Sequence, residues 1–294
     1  MDLGQRLLAS YVKEINAALD KYFPQGGDDL QKAMNYAFAV GGKRLRPAIT
    51  LAICEALGGD KSKALPLACA LEMMHTSSLI YDDLPCMDDD DMRRGKPSNH
   101  KVFGEDVTLL AGLGLNAKAY TAVTDGVKSG LLSHSQGIEA IDILARASGL
   151  EGIVPGQALD LKNKDHASVT EAELTEIHRL KTGAMIRASA LLGCVAAEAS
   201  AEMKDAATRF ADALGMAFQI RDDILDVTST PEALGKTPGK DRNGGKTTFA
   251  DIYGIEKAQE LVAQYTEKAL AALSEIPNSD FLAYLTRSLC NRDA

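Results

Sequence analysis

Six aspartates stand within the ten residues from Asp82 to Asp91, and no other segment has residue types so suited to chemistry. Pro85 disfavours helix for the residue before it, so the cluster is expected to begin at the C-terminal end of a helix. That end carries partial negative charge, and carboxylates there repel both it and one another. A divalent cation would relieve the repulsion, and an all-oxygen ligand set suits Mg²⁺. Arg93 and Arg94 follow directly, with the chemistry to hold phosphate oxygens.

The first acidic cluster could also be only a solvated loop. A second acidic group in the sequence argues against that alternative. Gln219, Asp222, Asp223 and Asp226 are spaced by three, four and seven residues from Gln219, so they share one face of a helix. Apolar residues occupy much of the rest of that helix, which predicts that the acidic stripe faces a cavity. Unpaired carboxylates are costly to bury, so the stripe needs a cation. Two such clusters on opposing helices could share metal ions that clamp a polyphosphate.

Three basic segments could complete a phosphate site, although each could also be ordinary basic surface. The segment GGKRLRP carries Lys43, Arg44 and Arg46 in a Gly-led turn that runs into a helix, which is a setting for anions. The segment from 234 to 249 is rich in Gly and Lys, but its spacing does not fit a P-loop. The segment HRLKTGAMI places Lys181 and Thr182 in the middle of a predicted helix.

Composition narrows the class of protein. The chain has 294 residues, with 32 Lys and Arg against 41 Asp and Glu, and 46% of its residues are hydrophobic. The acidic balance argues against sequence-independent binding of nucleic acid, and the apolar content is that of a globular protein. No apolar run approaches the ~18 residues of a membrane span, and the N-terminal segment has no signal-peptide layout. Five cysteines without a C-x-x-C pair indicate reduced thiols in a cytoplasmic protein.

Apolar residues recur every three to four positions almost throughout, which predicts an all-α fold. Strict alternation of apolar and polar residues, which is typical of strands, is missing. No repeat or linker interrupts the pattern, so a single domain is expected over residues 1–294. Beyond a first helix that begins at Leu3, helices are expected near residues 30–40, 46–58, 63–82, 107–128, 133–148, 170–198, 201–227, 253–274 and 279–290.

The segments GGKRLRP, DDLPCMDDDDMRRGKP, KTG, FQIRDDILD and GK…GGKTTF together resemble the trans-isoprenyl diphosphate synthases, in the right order over essentially the whole chain. The first motif, in which four residues separate Asp83 from Asp88, is most similar to short-chain members that make farnesyl or geranylgeranyl diphosphate. The resemblance implies an all-α bundle around a deep central cavity, usually a homodimer, with about three Mg²⁺ ions between its aspartate motifs. It also implies an enzyme that condenses isopentenyl diphosphate with an allylic diphosphate (dimethylallyl, geranyl or farnesyl), head to tail, and releases diphosphate.

The resemblance implies roles for individual residues as well. The implied metal ligands are Asp82, Asp83, Asp88, Asp222, Asp223 and Asp226. The residues implied to bind the allylic diphosphate are Arg93, Lys181, Gln219 and Lys236. The residues implied to bind isopentenyl diphosphate are Lys43, Arg46, His75 and Arg94. Those implied near the reacting groups and the closing loop are Thr182 and Lys246. Catalysis is implied for Lys181, Thr182, Gln219 and Arg93, because cations favour ionisation of the C–O bond and oxygens can stabilise the allylic cation.

Product length is expected to depend on the floor of the cavity for the growing chain. In the family, a bulky aromatic five residues before the first Asp tends to stop growth at C15, and here that residue is Ser77. Ser78 and Met74 are its neighbours on the helix. A small side chain at the end of this cavity leaves room for another C5 unit, so Ser77 favours a C20 product. The pattern of the first aspartate motif is equally compatible with a C15 product.

Two departures from the family pattern and three alternative functions accompany this interpretation, and one of those alternatives is an acidic metal-binding helical protein without catalysis. Leu113 stands where the family commonly has Asp, and Tyr81 stands where it often has His. A class I terpene cyclase would share the fold and the first motif, but it would usually have a different second motif and no GGKRLRP segment. A non-catalytic subunit of a synthase heteromer would be expected to lose aspartates from one motif, and both motifs are intact here.

Overall fold

The structure is a computed structural model, and it describes residues 2–163, 169–228 and 246–292. The regular structure of this part is helical except for one short hairpin, so the predicted all-α fold is confirmed. The helices are α1 (Leu3–Tyr22), α2 (Asp29–Ala39), α3 (Leu45–Ala56), α4 (Lys61–Asp82), α5 (Asn99–Phe103), α6 (Glu105–Lys128), α7 (His134–Ser148), α8 (Ile153–Asn163), α9 (Glu171–His178), α10 (Ala184–Ala196), α11 (Ala201–Thr228), α12 (Phe249–Tyr253), α13 (Ile255–Leu273) and α14 (Asp280–Cys290).

Several elements were not expected from the sequence, among them the short helices α5 and α12. Strands β1 (Met92–Arg93) and β2 (Lys96–Pro97) form an antiparallel hairpin directly after the first acidic motif. A π-helical turn, Arg179–Gly183, separates α9 from α10, where one continuous helix was expected. Helix α8 was missed because Pro155 resembles a break. In the first turn of a helix, however, Pro removes only a backbone N–H that has no partner within the helix.

The core is mostly aliphatic, with a few aromatic side chains such as Phe210, and it brings the chemical segments together. Helix α10 packs against α3, α4 and α11. At Gly193 the contact with α3 is so close that a Cβ atom would lie 2.6 Å from the carbonyl oxygen of Thr50 and 2.8 Å from Cβ of Ile53. This packing fixes the start of α3, the end of α4 and the π-helical turn relative to one another.

Two further sequence expectations concern membranes and cysteines. Across the described residues, we find no helix with both the length and the apolar character that spanning a bilayer demands. The five cysteines are free thiols, and four of them are buried, whereas Cys86 is exposed.

Candidate active site

The first acidic motif begins where α4 ends. Asp82 is the last residue of the helix and Asp83 is its C-cap, as the sequence predicted. The chain then folds back on the helix end, because the backbone N–H of Asp88 donates to the carbonyl oxygen of Asp82 at 2.9 Å. The backbone N–H of Asp90 similarly donates to the carbonyl oxygen of Asp83 at 3.2 Å. These bonds satisfy helix-end carbonyls and hold the carboxylates of the motif beside each other.

The carboxyl group of Asp82 is the strongest indication that this motif needs a cation. Its pKa is raised to about 6, chiefly by burial and also by the neighbouring Asp88 and Asp83, while Lys181 and Arg93 oppose the rise. A carboxylate taken out of water beside a second carboxylate is stabilised by added positive charge. The donor atoms are oxygens, so the residues present fit a hard divalent ion such as Mg²⁺.

Asp83 contacts a cation within the chain. Its carboxylate accepts a hydrogen bond from Nε of Arg93 at 3.0 Å and forms an ion pair with the same guanidinium. Asp83 is buried, and Asp90 lies 3.7 Å from the same arginine. The structure therefore brings Arg93 of the hairpin into the first motif.

Two lysines that were predicted from separate segments converge on one carboxylate that the sequence analysis missed. Nζ of Lys181 donates to Oδ2 of Asp160 at 2.7 Å, and Nζ of Lys246 donates to the same oxygen at 2.8 Å. Lys246 also lies 3.8 Å from Asp88, which links this group to the first motif. Lys236 lies outside the described residues.

A signal for Asp160 was present in the sequence. Gly156, Gln157 and Asp160 stand at helical spacing within α8, which places a polar stripe on an otherwise apolar segment. A Cβ atom on Gly156 would lie 2.5 Å from the backbone nitrogen of Lys181, so glycine is what allows α8 to approach the π-helical turn. Gln157 is also buried, and neither of its amide atoms has a hydrogen-bond partner among the described residues.

The π-helical turn also connects to the second acidic motif. Thr182 Oγ1 donates to Oε1 of Gln219 at 2.9 Å, so two residues that were predicted to face the reacting groups contact each other directly. Gln219 lies one helical turn before Asp222 on α11. π-Helical turns are frequent at functional sites, because they re-aim side chains that a regular helix would separate. Lys181 and Thr182 are consecutive residues, and they reach toward different motifs.

The three aspartates of the second motif have three different surroundings. Asp222 forms an ion pair with Arg292. Asp223 is buried, and its Oδ2 lies 3.3 Å from Nε2 of His178 and accepts the backbone N–H of Phe249 at 2.9 Å. Asp226 is only 2% exposed. The face predicted to carry one acidic stripe therefore includes a carboxylate, that of Asp223, which fastens α9 and α12 to α11.

The residues predicted to bind isopentenyl diphosphate lie together around the start of α3. An Nη atom of Arg46 lies 3.2 Å from Nε2 of His75, and Arg94 donates to the carbonyl oxygen of Gly41. Burial and the surrounding arginines hold the pKa of His75 well below its usual value, so the ring is neutral. Burial also lowers the pKa of Arg46 to about 10. Lys43, on the same turn, remains exposed.

Arg44 differs from its two basic neighbours in GGKRLRP. Its backbone adopts the left-handed conformation, with φ of 47°, which turns its side chain inward. The buried guanidinium donates to Glu72 at 2.8 Å, to Asn16 at 3.0 Å and to the carbonyl oxygen of Phe38 at 3.0 Å. The expectation that all three cations of this segment serve an anion therefore does not hold for Arg44, which is a structural residue.

The residues discussed for product length and the two departures from the family pattern also have clear positions. Ser77 and Met74 are each 2% exposed, and Ser78 donates to the carbonyl oxygen of His75. Tyr81 packs on α6 so closely that a Cβ atom on Gly112 would meet its ring. Leu113 is 55% exposed on the surface of α6. The loss of Asp at position 113 therefore does not remove a buried group from the site.

Among the described residues, the motif carboxylates do not converge into a compact group of three. The group whose potential ligand atoms all lie within 4.8 Å of one another is Asp89, Asp91 and His100, at the outer side of the first motif. Lys101 already pairs with Asp91 at 2.7 Å. The predicted ligands on α4 and α11 are instead linked through Lys181, Thr182 and their partners.

Comparisons with known proteins identify relatives of this chain both in sequence and in fold. The profile of the family described as Polyprenyl synthetase matches residues 28–278. The chain is 44% identical over 258 residues to "Heterodimeric geranylgeranyl pyrophosphate synthase large subunit 1, chloroplastic" of Arabidopsis thaliana, over 87% of this chain and 70% of that protein. An FPP/GFPP synthase from Zymomonas mobilis superposes with a TM-score of 0.86 at 32% identity, over 98% of each chain. A geranylgeranyl pyrophosphate synthetase from Pyrococcus horikoshii gives 0.88 at 30% identity, over 98% of this chain and 99% of that chain.

These similarities extend over nearly the whole length of the chain, and they include both the sequence and the arrangement of the helices. The fold is therefore that of the isoprenoid synthases, and the resemblance that the sequence motifs indicated is confirmed. The chain belongs to the polyprenyl synthetase family and, within it, to the short-chain trans-isoprenyl diphosphate synthases.

Proposed function

We infer that this chain is a prenyltransferase that condenses isopentenyl diphosphate with an allylic diphosphate and releases diphosphate. The observation that carries the inference is the convergence of Lys181 and Lys246 on Asp160, between the two aspartate motifs. Cations beside two carboxylate clusters form a site for an anion that arrives with metal ions. A class I terpene cyclase is the second candidate, and the basic turn of Lys43 and Arg46 argues against it, because a cyclase binds only one diphosphate substrate.

The residues that would hold divalent metal are the exposed or partly exposed motif carboxylates, above all Asp82, Asp88 and Asp222. When bound, the metal would withdraw charge from the diphosphate and thereby favour ionisation of its C–O bond. Arg93 and Lys181 supply further positive charge to the same leaving group. Asp223 is engaged with His178 and Phe249, so we propose that it supports the motif by fixing α11 rather than by direct ligation.

The remaining site residues position the substrates. Arg46, Arg94 and the neutral His75 would bind the diphosphate of isopentenyl diphosphate at the start of α3. Thr182 and Gln219 direct their oxygen atoms toward one another, where lone pairs can stabilise an allylic cation. The departing diphosphate is the proposed acceptor of the proton that the product loses, so the site needs no side-chain base.

The test is an assay of diphosphate release with Mg²⁺, isopentenyl diphosphate and dimethylallyl diphosphate. Asp82→Ala and Asp222→Ala are expected to lower turnover about a hundredfold or more, because each removes a metal-binding carboxylate. Asp142→Ala is the control, because this carboxylate is exposed on α7. Release of diphosphate from an allylic diphosphate alone, without isopentenyl diphosphate, would support the cyclase. Absence of release under both conditions would support a non-catalytic subunit.

We propose C20 as the main product, although a C15 product suits the motif style equally well. The support is the small buried side chain of Ser77 five residues before Asp82. The name of the Arabidopsis relative refers to geranylgeranyl pyrophosphate, and that of the Zymomonas protein to FPP and GFPP, so close relatives differ in product. Chromatography of the products formed from the two C5 diphosphates tests the proposal.

We propose that the chain forms a homodimer through α6. Leu109, Leu110 and Leu113 are 46%, 54% and 55% exposed, and their spacing places them on one side of the helix. Exposed apolar patches of this kind mark association sites. Light scattering of the protein as it elutes from a size-exclusion column should give the mass of a dimer. The Leu110→Glu variant should give a mass closer to that of the monomer. The name of the Arabidopsis relative describes a heterodimer subunit, so a monomer that dimerises only with a second synthase chain would overturn the proposal.

We propose a cytoplasmic location for the protein. Four of the five free thiols are buried, which suits a reducing compartment. Fractionation of source cells followed by immunoblotting tests this proposal, and recovery of the protein in an organelle or a membrane fraction would contradict it.

A further inference from the structure

Arg292 lies two residues beyond the end of α14, and it reaches the second acidic motif. Its guanidinium carbon lies 4.3 Å from the centre of the Phe218 ring, and the group forms an ion pair with Asp222. The side chain is only 13% exposed, compared with 37% for Asp222. A stacked and largely buried guanidinium that pairs with one carboxylate is a specific contact rather than a chance surface pair.

The backbone of Arg292 is fastened to the same helix as its partner. Nε of Arg221 donates to the carbonyl oxygen of Arg292 at 2.8 Å, and a second nitrogen of Arg221 contacts the same oxygen. One stretch of α11 therefore contacts Arg292 through three side chains, those of Phe218, Arg221 and Asp222. Nε of Arg292 is buried, and among the described residues no acceptor lies within hydrogen-bond distance of it. The arginine thus has contacts on two sides, while its Nε donor has no hydrogen-bond partner among the described residues.

Asp222 is also the carboxylate of this motif that is most accessible to an incoming metal ion. A guanidinium and a divalent ion both bind the oxygens of a carboxylate, so they compete for it. We propose that Arg292 is an internal counter-cation of Asp222, which a divalent metal must displace, and that it sets the metal affinity of the second motif. This inference deepens the proposed function and rests on it for the identity of the metal site.

Such a positioning residue has two effects. It holds the Asp222 side chain in one place and screens its charge from Asp226 while no metal is bound there. It also weakens metal binding, so that occupancy of the second motif depends more on the diphosphate that arrives with the metal. Arg221 contacts the backbone carbonyl oxygen of Arg292 and not its guanidinium. The Arg292 side chain can therefore leave Asp222 while the Arg292 backbone stays on α11.

The test is a titration of the 294-residue chain with Mn²⁺ in the absence of substrates, in which electron paramagnetic resonance measures the free ion. We expect Arg292→Gln to bind Mn²⁺ about fivefold more tightly than the wild type, the size expected when a partly exposed ion pair no longer competes. Arg292→Lys keeps the positive charge but loses the planar guanidinium. Its affinity for Mn²⁺ should lie between those of the wild type and Arg292→Gln. Arg287→Gln is the matched control, because it removes the same charge from an exposed position on α14.

The outcomes separate this inference from the proposed function. Unchanged or weaker Mn²⁺ binding by Arg292→Gln, with its melting temperature within a few degrees of the wild type, would overturn the inference even in an active enzyme. Tighter binding would support it even in a protein without prenyl transfer, in which case only the proposed function fails. If Arg292→Gln does not fold, the Mn²⁺ affinity of Arg292→Lys tests the inference in its place. Tighter binding than the wild type would support the inference, and unchanged or weaker binding would contradict it. Adding Asp222→Ala to the folded Arg292 variant should abolish the gain in affinity.

Discussion

The carboxylate of Asp160 accepts a hydrogen bond from Lys181 at 2.7 Å, and the same oxygen accepts one from Lys246 at 2.8 Å. Two ammonium groups that would otherwise repel each other are thereby held at one point. Burial by itself would raise the pKa of Asp160, but the two lysines outweigh it and lower the pKa to about 2. The carboxylate is therefore ionised whenever the protein is folded at ordinary pH.

Asp160→Asn is expected to impair substrate binding, because the lysines lose the group that positions them. We expect KM for the allylic diphosphate to rise about tenfold, while KM for isopentenyl diphosphate changes little. Steady-state kinetics with each substrate varied in turn measures both values. Equal changes in both constants would contradict a local positioning role.

The same variant should reduce stability in a pH-dependent way. A carboxyl group with a lowered pKa stabilises the fold above its unfolded pKa, here 3.8, and this contribution disappears as the pH falls toward about 2. We expect Asp160→Asn to cost about 2 kcal/mol at pH 7, and the difference from the wild type to shrink below pH 4. Denaturant unfolding at several pH values measures it. Asp142→Asn, which alters an exposed pair with Arg146, should change little.

Arg44 and Lys43 are neighbours with opposite expected phenotypes. Removing the buried guanidinium with Arg44→Leu leaves Glu72 as an uncompensated buried charge, which should cost about 3–5 kcal/mol of unfolding free energy. The double variant Arg44→Leu, Glu72→Leu should recover much of that loss. Lys43→Gln should leave stability nearly unchanged and raise KM for isopentenyl diphosphate. Thermal unfolding and kinetics separate the two roles, and a stable Arg44→Leu protein would contradict this assignment.

His75 should make the folded protein sensitive to mild acid. Its pKa lies well below 6.5 because the ring is buried and surrounded by arginines. The unfolded chain binds a proton below 6.5 and the folded chain does not, so stability is lost as the pH falls below 6.5. We expect His75→Gln to remove a slope of up to about 1.4 kcal/mol per pH unit between pH 6.5 and 5. His134→Gln, at an exposed position, should keep the wild-type slope.

Ser77→Phe is expected to shorten the product. The serine is 2% exposed, so a phenyl ring at this position must push neighbouring groups aside or enter the space that we propose for the growing chain. The main product should change from C20 to C15, as chromatography of the products would detect, and overpacking should cost about 1–3 kcal/mol of stability. Ser77→Ala keeps the floor small and should leave the product unchanged. An unaltered product from a folded Ser77→Phe protein would place the floor elsewhere.

The sequence by itself determined the features that depend on residue type and local spacing. Six aspartates at a predicted helix end, and three aspartates with Gln219 on one helix face, require cations in any fold that buries them. The spacing of apolar residues also determined the all-α class, because each helix must bury one apolar face. His75 with Arg46, and Thr182 with Gln219, could be grouped from motifs, and the structure brings both pairs into contact.

Only the tertiary structure decided which charges neutralise each other. Asp160 meets lysines that are 21 and 86 residues away, Arg292 meets a carboxylate 70 residues away, and Arg44 meets Glu72 across 28 residues. No local period records such pairs, because they depend on how helices pack and on single backbone features such as the left-handed Arg44. In GGKRLRP three cations stand within four residues, and only the direction in which the backbone turns each side chain separates the structural arginine from the other two.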